Sequence, residues 1–393
     1  MPLEDAEVQL AAHHVRWQVA LGSQTCTRIV TGVTEFLHGK AEPAELRALA
    51  WRLVGPAFAA HLAEQDRWPE RTDADRLTDA FRTLDMSGIV AREDFACCQN
   101  CGTTEIADER GKDQAARGYV FYHAQDAERM ADGGSLWLAF GGFAELPDEQ
   151  IGVEIAAALR AEGLQVDWDG SAGRRIHVRL DWKRRRFGRL AAHVAYDPAE
   201  PEVTATIDLG RRVRSLDPMP VTALAAIELP WLPTGATLEV EAYGSTQRIT
   251  RDGHRLLAGD RATGRFDGLR LLRGDDVPGV PNESGILDVT YEALPSGPIV
   301  GQGQPMTSAE VIDVLRRLPT RTGSWLSASS PSGAVVQLSC DDGRLWLETP
   351  HPEDATATGK HATLVEAERM LTILAAEDRS AVAELDGVTR QPW

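Results

Sequence analysis

The chain has 393 residues, 43% hydrophobic and 25% charged, a composition that excludes wholesale disorder and suits two or three domains, each with its own core. A formal charge of −18 argues against general affinity for nucleic acid, because attraction to phosphate needs a net or local positive field. No stretch approaches the roughly 20 apolar residues that span a bilayer, and Glu4, Asp5 and Glu7 stand where a secretory signal needs positive charge, so a cytoplasmic protein without a membrane segment is expected.

Residues 1–88 read as helical. "TRIVTGVTEFLHG" puts Ile29, Val30, Val33, Phe36 and Leu37 on one face and ends at Gly39. "PAELRALAWRLVGPAFAAHLAEQ" repeats the pattern with Leu46, Leu49, Leu53 and Phe58, with Pro56 expected to kink or split it. "WPERTDADRLTDAFRTLDMSG" supplies an N-cap at Thr72 or Asp73, an apolar stripe of Leu77, Ala80, Phe81 and Leu84, and Gly88 as a stop.

From 89 to 191 the period changes to that of an α+β sandwich. "GIVARE", "GYVFYH" and "SLWLAFGG" read as strands, "DAERMAD" and "PDEQIGVEIAAALRAEG" as helices, and "LQVDWDG…RRIHVRLDW" as two strands across a turn at Asp169 and Gly170. Residues 192–293 read as a β-rich segment almost without helical periodicity, "GLRLLRG" and "ILDVTYEA" among its strands. Residues 294–306, rich in Pro and Gly, read as a linker. Residues 307–393 read as a small α+β domain of order α-β-β-β-α. Its two helices open on capping boxes, Thr307 with Glu310 and Thr363 with Glu366, and a hairpin turns at "CDDG".

Three of the five cysteines fall within "FACCQNCG". Cys98 and Cys101 form C-x-x-C, a spacing that lets two thiolates close on one zinc. Two more ligands are needed. Cys97 is nearest but points the other way in extended chain, which makes His123 or Cys26 the alternatives. Buried idle thiols remain an open reading, whereas redox chemistry ranks last because the pair follows a strand and loop rather than opening a helix. An odd, clustered set does not suit a secreted disulfide framework.

A second constellation is "FYHAQDAERM". His123, Gln125 and Asp126 stand at the end of a strand, where imidazole and carboxylate serve as base and orienter, or simply as a satisfied histidine and a helix cap. Asp73, Asp75 and Arg76 in "WPERTDADRL" suit either a cation or ordinary first-turn capping. The run Arg174, Arg175, Arg179, Lys183, Arg184, Arg185, Arg186 and Arg189 is a local exception to the acidic chain; it suits phosphate, nucleic acid or an acidic partner, or a solvated strand face. No P-loop, Rossmann fingerprint, G-x-S-x-G or H-E-x-x-H occurs.

The blocks "WPERTDADRL", "SGIVAREDFACCQNCGTTEI", "GYVFYHAQDAE", "LWLAFG" and "LQVDWDG" with "LDWKRR" occur in this order over residues 20–190. In these the chain resembles an uncharacterised actinobacterial domain of unknown function. With only four lysines (Lys40, Lys112, Lys183, Lys360), its arginine-rich composition suits a GC-rich genome. The resemblance implies that Cys97, Cys98, Cys101, His123, Gln125 and Asp126 belong to one recurring constellation, and it implies no activity. Residues 307–393 are faintly similar to small bacterial immunity proteins.

The expectation is therefore an α+β protein that binds another protein or regulates, in bacterial conflict or immunity. Zinc at Cys98, Cys101 and His123, with Cys97 in reserve, is its expected cofactor, or there is none. The alternatives are a metal-dependent or His/Asp-assisted hydrolase using His123 and Asp126, and phosphate or nucleic-acid binding through Arg174–Arg189, chiefly Arg184, Arg185 and Arg186.

Overall fold

The computed structural model describes residues 3–110, 116–143, 146–275, 285–295, 297–341 and 343–392. It is an α+β structure in which helices pack on three substantial sheets.

The chain opens with three helices, α1 (Asp5–Leu21), α2 (Cys26–Phe36) and α3 (Pro43–Gln65). Pro56 neither splits nor ends α3. It lies on the exposed side, where the carbonyl that its missing N–H frees can be hydrated, while Trp51, Val54 and Phe58 on the opposite side share one core. A fourth helix, α4 (Asp73–Met86), takes Thr72, one of the two expected candidates, as its N-cap, and Asp75 completes a capping box with it.

The first sheet has five strands, β1 (Ile89–Arg92), β2 (Gly118–Phe121), β3 (Leu136–Gly142), β4 (Gln165–Asp167) and β5 (Ile176–Arg179), in the order β1-β2-β3-β5-β4. Only β1 and β2 pair in parallel. Along the chain α5 (Gln99–Glu105) lies between β1 and β2, α6 (Ala124–Ala131) between β2 and β3, and α7 (Asp148–Ala161) between β3 and β4. Leu77, Phe81 and Leu84 of α4, Met130 of α6 and Ile151 and Ile155 of α7 form one core with Val120 and Leu138 of the sheet. A separate cluster of Val90, Ile106, Phe121 and Phe143 lies under α5, so the sheet is covered on both faces rather than one. Gly102 makes that cover possible, since a Cβ there would come within 2.3 Å of the Phe121 ring.

The second sheet, in the order Arg261–Gly264, Arg255–Ala258, Ser245–Asp252, Thr237–Ala242, Ala205–Asp208, Val213–Ser215, is antiparallel throughout. Its Ile207, Leu238, Val240 and Ile249 pack in one core with Val15, Ile29, Val33, Leu49 and Trp51 of α1, α2 and α3. The N-terminal helices and the middle of the chain therefore share a single hydrophobic core. This middle is less purely β than its sequence suggests. "GLRLLRG" is the helix Gly268–Arg273, closed by Gly274 in the left-handed region, and residues 221–231 form short helical turns. Leu271 and Leu272 are both fully buried, a demand of adjacent positions that a half-buried strand cannot meet.

The third sheet has seven strands in the order Ile299–Thr307, Ile286–Glu292, Trp325–Ser329, Val335–Asp341, Arg344–His351, Thr356–His361, Thr389–Pro392. The stretch expected as a linker thus supplies an edge strand: Ile299–Thr307 pairs with Ile286–Glu292 across a register shift between Val289 and Tyr291. A Pro at 305 is tolerated because the strand is at the edge. Helices Ser308–Arg317 and Leu364–Glu377 both carry the expected capping boxes, and Val311, Leu315, Met370 and Leu374 pack onto Val289, Leu326 and Leu347.

Arg82 and Asp85 of α4 join the first and third sheets. Arg82 Nη1 donates to the carbonyls of Leu315 (2.9 Å) and Leu318 (3.2 Å) at the end of the helix Ser308–Arg317. Asp85 accepts from the Thr320 backbone N–H and hydroxyl, both at 2.8 Å.

Candidate metal centre

Residues 93–98 leave β1 in an uncommon conformation. Asp94 (φ 48°) and Ala96 (φ 62°) both occupy the left-handed region without being glycine, at about 1–3 kcal/mol each. Two backbone bonds fasten the loop to the end of β2: Phe95 N–H to the Tyr122 carbonyl (2.8 Å), and Ala124 N–H to the Ala96 carbonyl (3.1 Å). The kinked backbone then delivers three thiols to one point. The Sγ atoms of Cys97, Cys98 and Cys101 all lie within 4.8 Å of one another, and Cys97 donates to Cys101 across 3.4 Å. Cys97 therefore joins the pair instead of pointing away, because the chain turns at Ala96 and, past an extended Cys98, enters α5, which carries Cys101.

The C-x-x-C pair does open a helix. Cys98 is the N-cap of α5, which removes the ground for ranking redox chemistry last. The Cys101 backbone N–H, then the Cys101 thiol, hold Cys98 below the usual thiol range, while hydrogen bonds with Cys97 and Cys98 push Cys101 up to about 12. The thiolate form is thus favoured at one member and disfavoured at another, as expected of three thiols sharing few donors.

Tetrahedral zinc with Zn–S bonds of about 2.3 Å requires sulfurs about 3.8 Å apart. One observed separation, 3.4 Å, is close to that value, and all three sulfurs lie within 4.8 Å of one another. Cys97 is exposed and the other two partly so, which leaves room for a fourth ligand from outside. Among the described residues no histidine or carboxylate joins the group.

His123 is absent from that group because its Nε2 points elsewhere, 2.9 Å from Asp126 Oδ2. Asp126 is fully buried and also takes Arg175, by a two-pronged contact, and Arg129 Nη1 at 3.2 Å. Burial, foremost, holds His123 below its ordinary range, with Arg175 and Arg129 adding and Asp126 opposing. Gln125 is exposed on α6 and takes no part. Two cavities of about 490 and 360 Å³ flank α4 where it meets the helix Ser308–Arg317, and neither is lined by His123 or Asp126. The carboxylate is surrounded by cations, the imidazole lines neither of these two cavities, and its Nδ1 is buried without a hydrogen-bond partner. Cys26 is likewise a core residue, with its thiol pushed up to about 12 by burial, as Cys340 is to about 11.

The arginine run also turns inward. Arg186 is 1% exposed; it donates to the carbonyls of Val19 (2.9 Å), Gln24 (2.8 Å), Leu190 (2.6 Å) and Gln18 (3.2 Å) and stacks over Phe58. Arg184 lies between Glu93 and Asp313, Arg185 reaches Asp75 at 2.9 Å, and Arg189 reaches Glu228 at 3.1 Å. Arg174 and Arg179 are the members of the run on the exposed surface. Asp73 and Asp75 are occupied as well, by the Asp181 N–H and by the cap and Arg185.

Residues 4–186 match the model of a family described as a domain of unknown function, DUF6891. The match takes in the cysteine loop, His123, Asp126 and Arg186 and ends short of the second and third sheets. Neither a curated protein nor a solved structure matches the chain.

Proposed function

We propose that the chain is a non-catalytic binding protein whose cysteine loop is organised by a zinc ion on Cys97, Cys98 and Cys101, with the fourth position offered to a ligand from outside. The observation that carries this reading is the convergence of three sulfurs on one point by a loop that adopts two costly left-handed residues to bring them there. Strain of this kind persists where the surroundings enforce it, and a thiolate-bound metal supplies such enforcement. Three thiolates outweigh the charge of the ion by one and leave one position open, which suits capture of a donor on a partner protein. A role in bacterial conflict or regulation fits a chain without a recognisable catalytic motif.

The test is metal content. Protein purified without a polyhistidine tag is expected to carry about one zinc per chain, and the double variant Cys98→Ser/Cys101→Ser to carry none while keeping its far-ultraviolet circular dichroism. Wild-type protein that emerges metal-free, and takes up no zinc on titration, would overturn the reading.

A further inference from the structure

The larger cavity, about 490 Å³, lies where β1 and the strained loop face the third sheet and its first helix. Cavities at such junctions are the ordinary place for small ligands. Its charges can be balanced pair by pair. Asp85 is held by Arg92 and Arg321, and Glu109 by Arg92. Glu93 faces Arg184, and Arg316 and Arg317 are matched by Glu368 and Asp313. Two lining groups are left over. Arg82 meets only backbone carbonyls, and the Asp94 carboxylate has neither a hydrogen bond nor an ion pair among the described residues. Beside them, Nη2 of Arg92 is buried without a protein acceptor.

We propose that this cleft binds a small zwitterion of the free α-amino acid class, its carboxylate facing Arg82 and Arg92 and its ammonium facing Asp94. An unpaired guanidinium N–H and an unpaired carboxylate in one recess each lack the partner that such a ligand carries. The backbone strain at Asp94 and Ala96 fits the same reading, since strained residues cluster at ligand clamps and both line the cleft. The site does not depend on zinc, although the segment that forms its wall continues directly into Cys97.

Free L-amino acids are to be screened by thermal shift and calorimetry, each against its N-acetyl and its carboxamide form, with inorganic phosphate as the anion control. At least one free amino acid is expected to bind, and blocking either end should weaken it tenfold or more. Asp94→Asn should do the same while leaving zinc content unchanged, because Asn tolerates a positive φ and Asp94 has no internal partner to lose. Arg82→Gln, confirmed as folded, should weaken the carboxylate side alike. Binding of none of the free amino acids, binding indifferent to blocking or to Asp94→Asn, or binding of phosphate alone would each overturn the proposal.

Discussion

His123 Nε2 lies 2.9 Å from Asp126 Oδ2, and that one carboxylate, with no exposed surface, also serves Arg129 and Arg175. Removing a buried carboxylate from under its cations leaves charge without compensation, at a cost of about 3–5 kcal/mol. Asp126→Ala is therefore expected to lower the urea midpoint, with a loss of unfolding free energy of about 3–5 kcal/mol. Because Asp126 is what supports the charged imidazole, the His123 titration followed by NMR should also move further down. An unchanged midpoint would mean that the cluster does not hold α6 to the sheet.

Arg186 makes a similar prediction for the arginine run. Its guanidinium serves four backbone carbonyls at the end of α1 and beyond, and each acceptor left buried without a donor costs about 1–3 kcal/mol. Arg186→Met keeps the stem over Phe58 yet should still destabilise the fold by at least about 3 kcal/mol. Arg174→Ala, at an exposed position, should stay within about 0.5 kcal/mol. Chemical denaturation of the two variants separates an internal clamp from a surface patch.

Much of this was legible from the sequence where local signals act alone. Capping boxes at Thr307 and Thr363, the stop at Gly88 and the strand-like runs of β2 and β3 are decided within a few residues, and each element stands where its pattern put it. What could not be read depended on distant chain. Arg186 looks like one more cation in a basic run; only the approach of α1 and α3 shows it to be buried. Ile299–Thr307 looks like a linker because its Pro and Gly residues form no core face, yet an edge strand needs pairing on one side only. At the thiols the spacing of Cys98 and Cys101 was informative, whereas the inclusion of Cys97 and exclusion of His123 turned on two positive φ angles that Asp94 and Ala96 do not announce.

A buried histidine, His14, and a half-buried one, His61, give the fold an acid-sensitive window. His14, stacked on Phe36 and edge-on to Trp17, and His61, bonded to the Arg184 carbonyl at 3.1 Å, are both lowered to about 4, by burial above all. His13 adds to the first effect and Arg186 to the second. The unfolded chain binds these protons near pH 6.5, so between about 6.5 and 4 it holds protons that the folded state refuses. Stability is then full above 6.5 and falls as the pH drops through that window. Unfolding at pH 5 should take up close to two protons from these groups, and His14→Phe, which preserves the ring stack, should remove about one. A stability curve flat from pH 7 to 4.5 would contradict the lowered titration of both rings.

The shared core of the N-terminal helices and the second sheet bears on where the chain can be cut. The family match ends at residue 186, but Val15, Ile29, Val33 and Trp51 pack against Ile207, Leu238 and Ile249 beyond it. Fully exposing a large aliphatic side chain costs about 1.5–3 kcal/mol, so loss of that sheet uncovers several such increments, against a typical total stability of about 5–15 kcal/mol. A fragment of residues 1–191 should therefore retain helical circular dichroism but bind a hydrophobic dye and lack a cooperative thermal transition. A fragment of residues 1–275 restores the core and should melt cooperatively, provided that Arg82 and Asp85, which face the third sheet in the full chain, are tolerated in water. If the shorter piece melts as sharply as the longer one, the first sheet and its helices are enough to fold the matched region, and the second sheet is an addition to it rather than part of its core.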